Sequence, residues 1–416
     1  MADPFPKDPE GDVVALVLAG GRGSRLDPLT AARSKPAIPF AGQYRLIDVV
    51  LSNLAHSGLR DVWIAEQYRP FTLNQHLAGG RPWDMDGTRH GLRILPPAQG
   101  REEEGFSQGN GHALAQQVPI LRSFGAKTVI VLSADHLYQL DLRRVLAAHE
   151  ESGAELTMVT TVTDEDPSRF GVVQVDDDGA VTGYDYKPED PEGDLVATEI
   201  FVFDVEALSE VVVELVETEE DADRDAEDTD EDGDPLASSL GDYGETIIPA
   251  FVDRGTVREY RHDGYWRDIG TIEAFHLAHR EILAGEGLRL DEPGWPLLTN
   301  PPVEPPARID DGARVSASLI APGTRIAGTV ADSVIGPGVT VEAGAEVRNA
   351  ILFGNVTVPA GAVLDTVIAD VGATIPEGET TGTLDEEDGI VILTPDTRAP
   401  SSEDETTGGG VPAVAG

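Results

Sequence analysis

The sequence predicts two folded domains in series, an open α/β sheet domain followed by a C-terminal left-handed parallel β-helix. Three observations carry that prediction. Continuous apolar runs, "DVVALVLAGG", "DVWIAEQY", "TVIVLSADH", "LTMVTTV" and "EIFVFD", read as strands buried on both faces. Helical patterns such as "RLIDVVLSNLAHSG" and "DLRRVLAAHEESG" stand between them, each closed by a Gly suited to a helix C-terminus. From Ile309 onward, aliphatic residues recur at six-residue steps, a period that belongs neither to a helix nor to an alternating strand.

The 416 residues, 40% of them hydrophobic, suffice for a core in each domain. Strands alternating with helices imply a sheet covered on both faces, with ligands bound beyond the carboxyl ends of its strands.

In chain order, residues 1–11 are polar and Pro-rich and read as a disordered N-terminus. They lack the basic and apolar regions of a secretory signal, so a cytoplasmic location is expected. Residues 12–290 form the α/β domain. Within it, 217–234 ("ETEEDADRDAEDTDEDGD") reads as a disordered acidic insertion, too charged to pack. A Pro-rich linker follows at 291–306, and the β-helix spans 307–394. Its hexad positions include Ile309 and Val315, Ile320 and Ile326, Ile335, Val341 and Val347, then Leu352 and Val358, with Gly312, Gly323, Gly338, Gly344 and Gly361 suited to the corners. Residues 395–416 read as a disordered tail.

Composition narrows the function. With 75 acidic against 30 basic residues and a formal charge of -45, nucleic acid and anionic membrane surfaces are not expected as general partners. No run approaches the ~18 apolar residues of a membrane helix. The absence of cysteine excludes disulfides, thiolate metal sites and a cysteine nucleophile. Lysine is confined to Lys7, Lys35, Lys127 and Lys187, and a surface so acidic and lysine-poor suits a protein that stays soluble at high salt.

Against that background, "LVLAGGRGSRLDPLTAARSKP" is locally basic. Gly20, Gly21 and Gly23 form either a tight turn or a loop whose backbone N–H groups approach a phosphate. Arg22, Arg25, Arg33 and Lys35 favour the phosphate, since guanidinium and ammonium groups match phosphate oxygens. The loop is neither a Walker A loop nor a G-x-G-x-x-G fingerprint. Asp135, ending an apolar strand, is either a helix N-cap or a metal ligand. Asp268, in "GYWRDIGT", is far off in sequence, and two aspartates meeting at one Mg²⁺ would make a phosphoryl or nucleotidyl transfer site. Sequence does not show that they meet. Lys187, in "GYDYKPED", is either a plain surface lysine or a ligand contact. No histidine pair has metalloenzyme spacing and no G-x-S-x-G occurs, so hydrolysis has no support.

Taken together, "LAGGRGSRLDPLTAARSKPAIPFAGQYRLIDVVLSN", "AEQY", "SADHLYQLD", "RFGVVQV", "YKP", "DYGETIIPA" and "YWRDIGTIEAFHLAH" resemble the glucose-1-phosphate adenylyltransferase (ADP-glucose pyrophosphorylase) family, in order from about Val13 to Pro376. The resemblance implies a Rossmann-like nucleotidyltransferase domain with a mixed, mostly parallel sheet before the β-helix. It also implies transfer from ATP to α-D-glucose 1-phosphate in glycogen biosynthesis, Mg²⁺ dependence and a homotetramer. Carried over by matching motif, Leu18, Gly20, Gly21, Arg25 and Gly109 would meet the nucleotide. Arg25, Lys35, Asp135 and Lys187 would be the catalytic set, and Asp135 with Asp268 would hold the metal. Gly171, Lys187, Asp242, Tyr243 and Trp266 would meet the sugar phosphate.

The chain also departs from the family pattern. "SQGNGHA" stands where the family usually writes Tyr-Arg-Gly-Thr-Ala-Asp-Ala, keeping only Gly109 and the last Ala. Ala134 replaces a Gly, Tyr186 a Glu, Ala197 a Ser and Glu199 a Gly. Phosphate and metal groups are kept while sugar-binding groups change. Two other readings therefore stand beside the first: transfer to another sugar 1-phosphate, and a non-catalytic regulatory paralogue that assembles with a catalytic partner.

Overall fold

The computed structural model describes residues 12–20, 23–96, 109–225, 240–382 and 389–395. Gly21, Arg22, Ser107 and Gln108, the N-terminal residues 1–11, residues 226–234 of the acidic segment and residues 396–416 of the tail lie outside them. The chain divides into two compact units. One comprises 1–38, 45–270 and 288–300, and the other 39–44, 271–287 and 301–416.

The first unit is built on a nine-stranded mixed sheet. β1 (Val13–Ala19) lies at its centre. The short strands β2 (Pro39–Phe40), which falls in the 39–44 segment of the second unit, and β3 (Tyr44–Arg45) and helix α1 (Ile47–His56) precede β4 (Val62–Glu66) and β5 (Leu92–Leu95). β6 (Thr128–Ser133) and β4 flank β1 in parallel, with β5 parallel beyond β4. After β7 (His136–Tyr138) come β8 (Leu156–Val162), β9 (Gly171–Val175), β10 (Val181–Tyr186) and β11 (Leu195–Asp204). β11 runs antiparallel to β6, β8 and β9, and β12 (Val257–Arg261) pairs in parallel with β8. The last strand of the unit, β13 (Trp266–Asp268), leaves the main sheet and pairs antiparallel with β7.

β1 explains why a continuous apolar run is needed. Val14 and Leu16 enter a core on one face, while Ala15, Val17 and Ala19 enter a second core on the other. A strand covered on both faces has no side left for polar residues. α1 closes before Gly58 and α5 (Leu142–Ser152) is capped by Gly153 at φ +62°, as their sequence patterns predict.

Two expectations are corrected here. The acidic segment does not begin as an irregular insertion at Glu217. Helix α6 (Val205–Asp225) runs nine residues into it. Leu208, Val211 and Val212 anchor its start in the first core, and the following Glu- and Ala-rich sequence favours helix once that turn is nucleated. The expected linker is also docked up to Asn300. The Trp295 indole N–H donates to Asn53 Oδ1 at 2.9 Å, Leu298 N–H donates to Ser52 Oγ at 2.8 Å, and Asn300 Nδ2 donates to the His76 carbonyl at 3.0 Å. The compact units accordingly do not split at 290. Residues 271–287, which carry the helix Ile272–Ala284, belong with the β-helix, and 288–300 belong with the sheet.

In the second unit, strands of two or three residues stack in three parallel sheets. Ile309, Ile326, Val341 and Val358 form one ladder, Val315, Val330, Val347 and Leu364 the next, and Ile320, Ile335, Leu352 and Ala369 the third. Each hexad position stacks on its equivalent one coil away, which is the architecture of a hexapeptide-repeat β-helix. No helix among the described residues is long and apolar enough to cross a membrane.

Candidate active site

The site lies at the carboxyl ends of β1 and β6 and on the β7–β13 pair. Leu18 stands beside Ser133 in the register of β1 and β6, and the Ser133 hydroxyl donates to Asp135. No helix starts at Asp135. The N-cap of α5 is Asp141, whose side chain accepts from Arg143 N–H. Asp135 is left for another role, which the β7–β13 pairing supplies by setting Asp268 opposite His136.

Asp135 and Asp268 therefore meet, and Lys35 meets both. Its ammonium is ion-paired to Asp135 and lies 3.8 Å from Asp268 Oδ1. His136 Nε2 is 3.4 Å from Asp268 and 3.7 Å from Asp135, and its Nδ1 is 3.0 Å from the Thr198 carbonyl. Arg169 reaches to 3.5 Å from Asp268 while also bonding Glu165 at 2.7 Å, and Arg267 holds the other Glu165 oxygen at 2.6 Å. Sequence reasoning did not single out His136, Arg169 or Glu165, because what brings them into the site is Asp268 and Arg267, on a strand distant in sequence.

These charges are buried, so their mutual placement decides their protonation. Burial works against the Lys35 ammonium, but Asp135 and Asp268 override it and its pKa rises. Burial alone would also lower the pKa of His136, yet Asp268, Asp135 and Glu199 push it up to about 9. For Asp135, burial raises the pKa while Lys35 and His136 lower it, and the net direction is down. Asp268 likewise falls well below the usual carboxylate range, burial being outweighed by His136, Lys35 and Arg169.

The loop from Gly20 to Lys35 is packed to present these groups. A Cβ at Gly20 would lie 2.7 Å from the Gln67 carboxamide, so glycine leaves room for Gln67 over the strand end. Gly23, at φ +65°, abuts Lys35 and Thr30. Arg25 is exposed, with Nη2 3.5 Å from the position a Gly270 Cβ would take and Asp268 on the same side. Arg33 behaves differently from the sequence expectation. It is 8% exposed and donates to the Leu29 carbonyl at 3.0 Å, so it fastens the loop from inside.

A second group forms the adjoining wall. Lys187 is exposed, at φ +49°, and its ammonium donates to the Tyr186 hydroxyl at 2.5 Å, which in turn donates to Asp242 Oδ2 at 2.5 Å. Gly109 packs against the Gly241 carbonyl, Gly111 N–H donates to that carbonyl at 3.1 Å and Asn110 Oδ1 accepts from Tyr243 N–H at 2.8 Å, so Gly109–Gly111 and Gly241–Tyr243 meet. Gly171 lies under the Tyr184 ring. Trp266 stands edge-on to His136 and Phe170, each at a ring-centroid distance of 5.3 Å. Tyr243 differs from its expected place as a pocket wall. Its ring is 3% exposed and buried against Phe201, because an aromatic at this position completes the first core. Glu199 joins the two groups. Its pKa is raised by burial and by Asp135, Asp268 and Asp242, against the opposing pull of His136.

Residues 14–285 match the nucleotidyl transferase family model, and residues 305–392 match the GlmU-like C-terminal hexapeptide model. The chain is 38% identical to the glucose-1-phosphate adenylyltransferase of Thermotoga neapolitana over 342 residues, 81% of this chain and 77% of that protein. The chain belongs to the glucose-1-phosphate adenylyltransferase family. The enzymes of that name from Clostridioides difficile, at 34% identity over 82% of this chain and 85% of the relative, and from Thermomicrobium roseum, at 38% over 80% and 79%, agree. Membership in the glucose-1-phosphate adenylyltransferase family makes this an enzyme of nucleotidyl transfer, a class that uses a divalent metal.

Donor atoms of Asp135, His136 and Asp268 lie within 4.8 Å of one another. Two carboxylates are the donor set a hard cation takes, with phosphate oxygens and water completing its shell. His136, its pKa raised by Asp268, Asp135 and Glu199 against the effect of burial, balances the charge of the two carboxylates.

Proposed function

We propose that the chain transfers the adenylyl group of ATP to α-D-glucose 1-phosphate, giving ADP-glucose and pyrophosphate, and serves glycogen synthesis. The observation that carries this reading is the meeting of Lys35, Asp135 and Asp268 at the strand ends. A subunit relieved of catalysis would have no physical need to bury three such charges together. The expected assembly is a homotetramer, to be checked by light scattering.

Asp135 and Asp268 would hold Mg²⁺, whose charge, when bound, offsets that of the phosphate oxygens around the reacting phosphorus. A phosphate oxygen of the sugar phosphate attacks the α-phosphorus of ATP, and pyrophosphate leaves in line. That oxygen is already ionised near neutral pH, so no general base is required. The protein's work is positioning and charge placement. Arg25 offers an exposed guanidinium to the triphosphate, and Gly20 with Leu18 lets the nucleotide approach the end of β1. Lys187 meets the phosphate of the sugar phosphate, while Lys35 keeps Asp135 and Asp268 paired and ionised.

The test is pyrophosphate release by purified protein with Mg²⁺ across ATP, UTP, CTP and GTP and a panel of sugar 1-phosphates, at low and high salt. ATP with glucose 1-phosphate is expected to give the highest kcat/KM. Silence in every combination overturns the reading.

A further inference from the structure

Glu199 sits where its backbone alone would not put it. It occupies the irregular stretch between Ala197 and Phe201 where the pairing of β11 with β8 shifts register, and its φ is +56°. That region suits glycine, and non-glycine residues are strained there. The side chain is one-third accessible, and its nearest charged partner is His136 Nε2 at 3.9 Å. Among the described residues none donates a hydrogen bond to it. It is not part of the Asp135–His136–Asp268 donor cluster, nor is it paired with Lys35. Its charge acts instead on Tyr184, Tyr186 and Tyr243, the same hydroxyls on which Asp242 acts. Asp242 carries an independent sign of a missing ligand. Oδ2 accepts from Tyr186, but Oδ1 is buried without a hydrogen-bond partner.

We propose that Glu199 is the specificity-determining residue of the sugar site, its carboxylate and Asp242 Oδ1 accepting hydrogen bonds from ring hydroxyls of the incoming sugar 1-phosphate. The proposal rests on the transfer reading above and names what that transfer selects. A buried acceptor without a partner at Asp242 Oδ1 and an accessible carboxylate at Glu199 suit a ligand rich in donors, and a phosphate-bearing pyranose supplies them beside the phosphate that Lys187 would meet. Neutral hydroxyls fit better than an ammonium group. Glu199 already faces His136, and Asp242 is linked to Lys187 through Tyr186, so each carboxylate has a cationic group nearby. A residue kept in a strained backbone for recognition leaves a clear signature, because glycine at that position relieves the strain while removing the acceptor.

The experiment compares the parent with Glu199→Gly and Glu199→Gln, measuring thermal unfolding and pyrophosphate release with ATP, Mg²⁺, glucose 1-phosphate, its monodeoxy analogues and glucosamine 1-phosphate. Glu199→Gly is expected to keep or raise Tm. Its KM for glucose 1-phosphate should rise about tenfold, with KM for ATP within about twofold. At least one deoxy analogue should cost the parent about tenfold in kcat/KM and cost the glycine variant almost nothing. Glu199→Gln, which keeps one acceptor oxygen, should fall between. A glycine variant with the parent's KM and the parent's discrimination among the deoxy sugars overturns this inference and leaves the transfer reading standing. A parent that prefers the amino sugar overturns the hydroxyl assignment, and a parent silent with every sugar overturns the transfer reading and this inference together.

Discussion

His136 and Asp268 face each other in register across two short antiparallel strands, with Nε2 of one 3.4 Å from Oδ1 of the other. The pair turns two segments of ordinary composition into the electrostatic centre of the sheet domain. It also makes stability depend on pH in a defined direction.

The pKa of His136 is raised from its ordinary 6.5 to about 9, so charged His136 stabilises the fold. That contribution is complete below about pH 6.5 and is lost as pH rises through about 9. Asp268, held low, contributes above its ordinary range and loses that contribution as pH falls through and below it. In urea unfolding with EDTA, the parent is expected to lose on the order of 3 kcal/mol more than His136→Gln between pH 6.5 and 9.5. Parallel curves for the two proteins would remove the pair from the account.

The two arginines of the loop between Gly20 and Lys35 should separate function from fold. Arg25→Ala is expected to lower kcat by about a hundredfold, roughly 3 kcal/mol, with Tm unchanged. Arg33→Ala, losing its bond to the Leu29 carbonyl, should cost about 1 to 3 kcal/mol of stability and leave KM for ATP within about twofold. Steady-state kinetics beside denaturation curves check both, and an exchange of the two phenotypes would reverse the assignment.

Metal dependence tests the carboxylates. Asp135→Asn and Asp268→Asn should each lower turnover at least about a hundredfold and move the Mg²⁺ concentration for half-activity upward. Each also leaves a buried cation short of a partner, so a loss of about 3 to 5 kcal/mol in stability is expected for the metal-free protein. Parental Mg²⁺ titration curves in either variant would exclude that residue from the metal site.

Glu66 gives a prediction with the opposite chemistry. Burial lifts its pKa to about 7 against the opposing hydrogen bond from Asn74, and Oε1 has no partner. Because the acid's pKa is raised, its stabilising contribution is full below about pH 4.5 and is lost as pH rises through about 7. Glu66→Gln should therefore raise Tm at pH 8 and change it little at pH 5. A lower Tm at pH 8 would show that the ionised carboxylate is needed.

Much of this was legible in the chain. β1, β4, β6 and β8 were readable because burial on both faces forces an unbroken apolar run. α1 and α5 were readable from their closing glycines, and the β-helix from its hexads. The acidic segment misled, because charge density suggested an irregular loop where Glu and Ala instead prolong a nucleated helix. Trp295 stands in Pro-rich sequence that reads as linker, yet its indole N–H donates to Asn53. Arg33 and Lys35, alike on paper as loop cations, parted company, one turning to a carbonyl and the other to two carboxylates. Glu199 left one trace in the sequence, a carboxylate where the family resemblance leads one to expect glycine.

By itself, then, the sequence determined the two architectures, the family and the presence of a basic, glycine-rich loop after β1, because periodicity and local motif are written along one dimension. Only the tertiary structure decided that Asp135 meets Asp268, that His136 reaches both, and that Glu199 and Asp242 act on the same tyrosines. Those outcomes depend on strand pairing between distant segments. They depend equally on burial, which multiplies the energy of each charge once water is removed.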